Sequence, residues 1–312
     1  MRQTIRFAPF LLVAATAWGD DARVHLPVRA RVSESGQRAA TIRVGTELVS
    51  VPVTVLDGRG APVRGLGRYA FRIFEDGVEQ NVVTFGGDET PVSTGIVFDA
   101  SKSMAPKLGE AREAVKRLFE QAIPGDEYHL VEFNDSARLL CDLTSDTGLV
   151  STALSRVAAR GWTALFDGVL LSAQSLRHAQ NPRRALVVLS DGEDNFSRYG
   201  EGELRNFLRE AGVVVYAIGL ATGRFPTFQP KYLRRLAEET GGWCYTVTNI
   251  EGLGATVRAI SEAIRSQYIL TYSSSNNAAD GKYRRIRVQL DSAGHTDWSN
   301  SWRAGYYAPL SR

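Results

Sequence analysis

Residues 95–104 read Gly-Ile-Val-Phe-Asp-Ala-Ser-Lys-Ser-Met. The apolar run 95–98 fits a strand buried on both faces, and 105–123 beyond it has the spacing of an amphipathic helix. Asp99, Ser101 and Ser103 therefore fall on the loop leaving the carboxyl end of a strand. That edge is where open sheets flanked by helices bind ligands. One carboxylate and two hydroxyls form a hard oxygen set that suits magnesium, which takes about six oxygens and keeps several waters.

Two later stretches supply partners for that loop. Trp162-Thr163-Ala164-Leu165-Phe166-Asp167-Gly168 opens a helix with a hydroxyl, Thr163, at its start. Residues 185–190 form a second buried strand that ends in Ser190-Asp191-Gly192-Glu193-Asp194. Together the three stretches resemble the metal-ion-dependent adhesion site (MIDAS) of the von Willebrand factor type A (VWFA) family. The resemblance implies one divalent cation, Mg2+ with Mn2+ or Ca2+ as alternatives, held by Asp99, Ser101, Ser103, Thr163 and Asp191. Lys102 stands where the family commonly has glycine between the serines, and Trp162 where it has glycine before the threonine. These two form the rim of the implied ligand site. Lys102 either attracts an acidic ligand or projects into water, and Trp162 is read as a partner-facing aromatic anchor, against a packing role. Asp167 is read as a loop-stabilising carboxylate, and Glu193 and Asp194 as outer groups that tune the site.

From 94 to about 267 strands and helices alternate, which predicts a parallel sheet between helical layers. Strands are expected at 95–98, 127–133, 137–143, 185–189, 213–218 and 243–247, and helices at 105–123, 164–179, 203–211, 231–239 and 252–266. Asn134-Asp135-Ser136 is too short for a crossover, so the second and third strands form an antiparallel hairpin at the sheet edge. The fold class is α/β: a Rossmann-like VWFA domain, a mostly parallel six-stranded sheet with helices on both faces. Leu253, Val257, Ile260 and Ile264 give the last helix one apolar face for packing on the sheet. Integrin-type relatives imply the alternative, a sliding helix that reports ligand occupancy.

The flanks read as β. Residues 48–56 are rich in β-branched side chains, and strands at 71–75 and 78–85 flank Asp76-Gly77, a two-residue hairpin turn. Strands follow the α/β segment at 268–272, around Ile286, Val288 and Leu290, and at 302–307. Neither flank is large enough for a good core, so the two pack together as one discontinuous β-sandwich-like domain into which the α/β domain is inserted. This order resembles bacterial VWFA-related proteins of the acidobacterial type. The expected organisation is a signal peptide (1–17), a flexible lead-in (18–40), an N-terminal β-module (41–90), the VWFA domain (91–267) and C-terminal strands (268–312) that pack on the module.

Composition excludes several classes. Arg2, Arg6, the apolar run 7–18 and Ala15-Thr16-Ala17 have the form of an export signal, too short for a membrane helix of ~20 apolar residues. The expected location is periplasmic or extracellular, without a stable membrane anchor. The chain has 37 Lys and Arg against 34 Asp and Glu, so nothing in its charge points to nucleic acid. Cys141 and Cys244 fall on opposite sheet edges if the family's strand order holds, too far apart for a disulfide, and are expected as separate buried thiols. A phosphotransfer enzyme that starts from an aspartate after the first strand needs a second aspartate two residues on, where this chain has Ser101. A subtilisin-like nucleophile stretch needs an upstream histidine, and only His25 precedes it; His129, His178 and His295 are scattered. The expectation is a non-enzymatic binding module, with a metal-dependent hydrolase or a structural type A scaffold with an empty site as the alternatives. Its partner is a protein or peptide whose acidic side chain completes the coordination of the cation.

Overall fold

The computed structural model describes residues 48–87, 90–192, 194–221, 231–292 and 294–310. The expected signal peptide, the lead-in, the first residues of the β-module, His25 and Glu193 lie outside them. The N-terminal flank holds β1 (Leu48–Leu56), β2 (Phe71–Glu75), β3 (Val78–Gln80) and β4 (Val82–Gly86). The α/β segment follows as β5 (Val92–Asp99), α1 (Leu108–Phe119), β6 (Glu127–Phe133), β7 (Ala137–Thr144), α2 (Thr147–Ser155), α3 (Leu165–Ser175), β8 (Arg183–Ser190), α4 (Glu201–Ala211), β9 (Val214–Leu220), α5 (Lys231–Thr240), β10 (Cys244–Val247) and α6 (Leu253–Arg265). The chain ends in β11 (Tyr268–Ser273), β12 (Tyr283–Leu290), β13 (Ser299–Trp302) and β14 (Gly305–Tyr307). Among the described residues no helix is long and apolar enough to cross a membrane.

The six-stranded sheet runs β10-β9-β8-β5-β6-β7, and every pairing is parallel except that of β6 with β7. All eight residues of β5 are buried, because helices cover both of its faces. One face packs Ile96 and Phe98 against residues of α1 and α6, among them Ala111, Leu118, Leu253 and Ile260. The other packs Val97 against Val169 and Leu170 of α3 and apolar residues of α4 and α5. β5 has β6 on one side and β8 on the other, so the order reverses at β5. The carboxyl ends of β5 and β8 flank the crevice this reversal creates.

The flanking segments build two four-stranded sheets, β13-β1-β11-β4 and β14-β12-β2-β3. Each sheet draws strands from both flanks, with Val51 of β1 opposite Leu270 of β11 and Ile73 of β2 opposite Val288 of β12. Val51, Val53, Ile73, Leu270 and Tyr272 from the two sheets share one core, a sandwich. Asp76 and Gly77 both have positive φ, 47° and 89°, as the two-residue hairpin requires.

Four expectations need correction. Residues 78–85 are not one strand: the chain breaks at Asn81, β3 pairs with β2, and β4 crosses to the other sheet beside β11. Residues 302–307 divide in the same way between β13 and β14, since a sandwich passes its chain between sheets at corners. The helix expected from 105 starts at Leu108, after a 3-10 segment at Lys102–Lys107 that contains Pro106. Proline lacks an amide donor and disfavours α geometry in the residue before it. Cys141 and Cys244 are free and on opposite edge strands, yet half-buried rather than fully buried, because an edge strand has no outer neighbour.

Gly95 shows how closely these layers approach. A Cβ there would lie 2.5 Å from His129 Cε1 of β6 and 2.5 Å from Ser172 Oγ of α3, two side chains that meet over the strand at 2.5 Å. Gly95→Ala is expected to destabilise the fold by about 1–3 kcal/mol through overpacking, read as a lower urea midpoint at unchanged slope. Burial pushes His129 down to about 4, against the opposing pull of Asp142. An unfolded histidine titrates near 6.5. The depressed value means that stability is fully present above pH ~6.5 and is lost as pH falls toward 4, because only the unfolded chain takes up the proton. Urea titrations at pH 7 and pH 4 check this as a difference: the change in stability on acidification should be less favourable in the parent than in His129→Gln by ~3 kcal/mol.

Candidate metal centre

Asp99 is the last residue of β5 and is fully buried. Its Oδ1 accepts the backbone N–H of Ser101 at 2.8 Å and its Oδ2 accepts the Ser190 hydroxyl at 2.5 Å. From there a line of oxygens leads outward. Ser101 Oγ is 3.0 Å from Ser103 Oγ, which donates to Asp191 Oδ1 at 2.7 Å. Asp99, Ser101, Ser103 and Asp191 are thus brought together, from the loops after β5 and β8. Ser103 is exposed while Ser101 and Asp99 are buried, so the set runs from the core to solvent. Burial pushes Asp99 up to about 6, opposed by the hydrogen bonds from Ser101 and Ser190 and assisted by the charge of Asp191.

Thr163 approaches from the loop before α3. A Cβ on Gly192 would lie 3.6 Å from Thr163 Oγ1, which places the hydroxyl beside the loop carrying Asp191. The backbone of this loop is tied on several sides. Lys102 N donates to Gly161 O, Trp162 N to Asp135 Oδ1, and Ala164 N to Asn134 O. Gly161 has φ +68°, and a Cβ on it would strike the Asp135 carboxylate at 2.3 Å, so glycine is required there. Thr163 N donates to Asn195 Oδ1, and Asn195 N and Phe196 N return to Thr163 O.

The rim residues face outward. Lys102 is exposed, and Trp162 is 61% exposed with its ring stacked on Phe196 at 6.5 Å and 9°. Asp167 accepts from Arg198 N and Tyr199 N, and its Oδ2 from Arg198 Nε, so it fastens the 198–199 loop to α3. Asp194 Oδ1 accepts Phe166 N at 3.3 Å and the Ser197 hydroxyl at 2.5 Å. Of the histidines, His129 is core, whereas His178 and His295 are exposed.

Three functional candidates escaped the sequence. Ser190 orients Asp99, Phe196 completes the aromatic rim, and Lys107 places Nζ 2.5 Å from Asp191 Oδ2. Ser190 and Phe196 sit next to recognised positions, but only the paired strands and loops reveal their contacts. Lys107 carries no motif signal at all.

The donor set fits a hard divalent cation. It offers carboxylate and hydroxyl oxygens at hydrogen-bond spacing, together with a buried carboxylate whose charge lacks solvent. Among the described residues no group of three or more His, Cys, Asp or Glu converges, at this site or elsewhere, so the set here is two carboxylates with hydroxyls.

Residues 94–193 match the family model of the von Willebrand factor type A domain, and the six-stranded α/β segment has the fold of that domain. An uncharacterized protein of Borreliella burgdorferi is 24% identical over 49% of this chain and 53% of its own length. A UPF0353 protein of Mycolicibacterium gilvum is 23% identical over 54% of this chain and 59% of its own. The chain thus spans less than two thirds of both relatives. A von Willebrand factor type A structure from Catenulispora acidiphila superposes with a TM-score of 0.50 at 14% identity, covering 86% of this chain and 75% of that one. That likeness is one of fold.

Ser190→Ala removes the hydroxyl that donates to Asp99 Oδ2. It is expected to lower stability by about 1–3 kcal/mol at pH 8, where Asp99 is ionised, and by less at pH 5, where Asp99 is mostly protonated. Urea melts at the two pH values check the difference.

Proposed function

We propose that this chain is an exported, non-enzymatic binding module that recognises an acidic side chain of a protein or peptide through a divalent cation. Asp99, Ser101, Ser103, Thr163 and Asp191 would hold the ion, Mg2+ first and Mn2+ or Ca2+ as alternatives. The observation that carries the proposal is the line of hydroxyl and carboxylate oxygens from buried Asp99 to exposed Ser103, joined to Asp191. When bound, the cation supplies an electrophilic coordination position that an anionic oxygen can fill, since hydroxyls and waters leave much of its charge unneutralised.

The chain's own residues set the rest of the recognition. Lys102 adds positive charge beside the opening, and the Trp162–Phe196 stack offers an apolar shelf to the flank of an incoming carboxylate. Type A domains commonly bind proteins through this site. Binding rather than catalysis is favoured because Ser101 stands where phosphotransfer needs a carboxylic acid. Export rests on residues 1–17, and the finer kinship with acidobacterial-type VWFA-related proteins rests on the sequence pattern of the β flanks.

A thermal melt in Mg2+ and in chelator tests the site. A ligand at a hundred times its dissociation constant adds ~2.7 kcal/mol of stability. Magnesium should raise the midpoint of the parent by several degrees and leave that of Asp99→Ala unmoved. A parent indifferent to Mg2+, Mn2+ and Ca2+, or an Asp99→Ala variant that responds like the parent, would sink the proposal.

A further inference from the structure

Lys107 occupies a position that helix physics does not explain. It is the N-cap residue of α1, and no side chain caps that helix end. Helix N-termini favour anions and Ser, Thr, Asp or Asn caps, so a lysine there sits at the wrong pole. Its side chain does not point away to water. It is 14% exposed, and its ammonium contacts Asp191 Oδ2 at 2.5 Å, while the Asp191 side chain is 1% exposed. Lys102, five residues earlier on the same 3-10 segment, is exposed instead.

Both oxygens of Asp191 are therefore engaged, Oδ1 by the Ser103 hydroxyl and Oδ2 by Lys107. The hydroxyl is neutral and can turn its lone pairs to a cation. The ammonium has three donors and no acceptor, so it can only compete with one. We infer that Lys107 is a tethered cation which competes with the divalent ion for Asp191 and so sets the metal affinity of the site. This rests on the metal-binding function proposed above and deepens it. The two carboxylates, Asp99 and Asp191, carry two negative charges, and Lys107 cancels one of them from inside the protein. A site built this way binds its ion more weakly than the same oxygens would alone. The ion must displace the ammonium or share a carboxylate with it, and repulsion between two cations on one partly buried carboxylate is large.

The experiment is calorimetric titration of Mn2+ into the full chain, its Lys107→Met, Lys107→Gln and Lys107→Arg variants, and Asp99→Ala/Lys107→Met. Met keeps most of the apolar stem without the charge, Gln is a second neutral replacement should Met fail to fold, and Arg keeps the charge. Neutral variants are expected to bind at least about tenfold tighter than the parent, and Arg within a few-fold of it. A merely structural ion pair would instead lower metal-free stability and leave the affinity unchanged. If the parent binds Mn2+ and the folded neutral variants bind it equally or more weakly, Lys107 does not compete and this inference falls while the metal site stands. If neither the parent nor any neutral variant binds, or if Asp99→Ala/Lys107→Met binds as tightly as Lys107→Met, the site itself is misassigned and both fall.

Discussion

The structure turns on one buried carboxylate. Asp99 ends a strand whose every residue is buried, so its charge has no water and must be met by the protein. Its donors come from different places: the amide of Ser101 requires the loop to fold back at once, and the hydroxyl of Ser190 requires the end of β8 to lie beside that of β5. The second requirement fixes register, since Phe98 pairs with Leu189 and brings the next residues, Asp99 and Ser190, together at the edge. Register in turn depends on close layers. Gly95 lets His129 and Ser172 meet across β5, and Gly168 brings α3 against Phe133, where a Cβ would lie 2.8 Å from the ring.

The other end of β5 is held by a second buried charge. Asp126 accepts Val92 N with one oxygen and pairs through the other with Arg265, the last residue of α6. Arg183, opposite Val92 on β8, donates to the carbonyls of Arg265 and Gln267. Only Ser266 and Gln267 separate α6 from β11, which pairs with both β1 and β4 in the sandwich. A helix clamped at its carboxyl end and continuous with a central strand does not slide alone. Moving α6 by a turn would break the Arg265–Asp126 pair and strip β11 from two partners. The architecture favours α6 as a packing element, and any displacement of it would be transmitted directly to the sandwich.

The sequence exposed what depends on local order. Asp99, Ser101 and Ser103 alternate on one loop, and the apolar runs of β5 and β8 end in carboxylates, so strand ends and hard donors could be read together. The three-residue turn at Asn134 forced the β6–β7 hairpin, whereas the placing of Cys141 and Cys244 on opposite edges came from the strand order of the resembled family. What escaped depends on distance in space. Lys107 lies 84 residues from Asp191, and Ser190 lies 91 from Asp99; neither pairing has a period or spacing to betray it. The breaks at Asn81 and at Arg303-Ala304 escaped for a related reason. A continuous β-rich run looks the same whether it stays in one sheet or turns a corner into the next.

Charge balance links the buried carboxylate to recognition at the surface. Asp99 is held by neutral donors only, so its charge is solvated but not cancelled, whereas Asp191 is already paired with Lys107. The inner carboxylate therefore carries the uncompensated charge, and the outer one is the adjustable member. A cation drawn by Asp99 and faced otherwise by hydroxyls of Ser101, Ser103 and Thr163 would keep most of its own charge toward solvent, on the side where Ser103 is exposed and Lys102 stands. With the proposed ion in place, positive charge would accumulate there while negative charge stays in the core. That polarity would select an anionic oxygen over a neutral one at the opening, and the Trp162–Phe196 shelf beside it would favour a carboxylate carried on an apolar or aromatic stretch of polypeptide over a free anion.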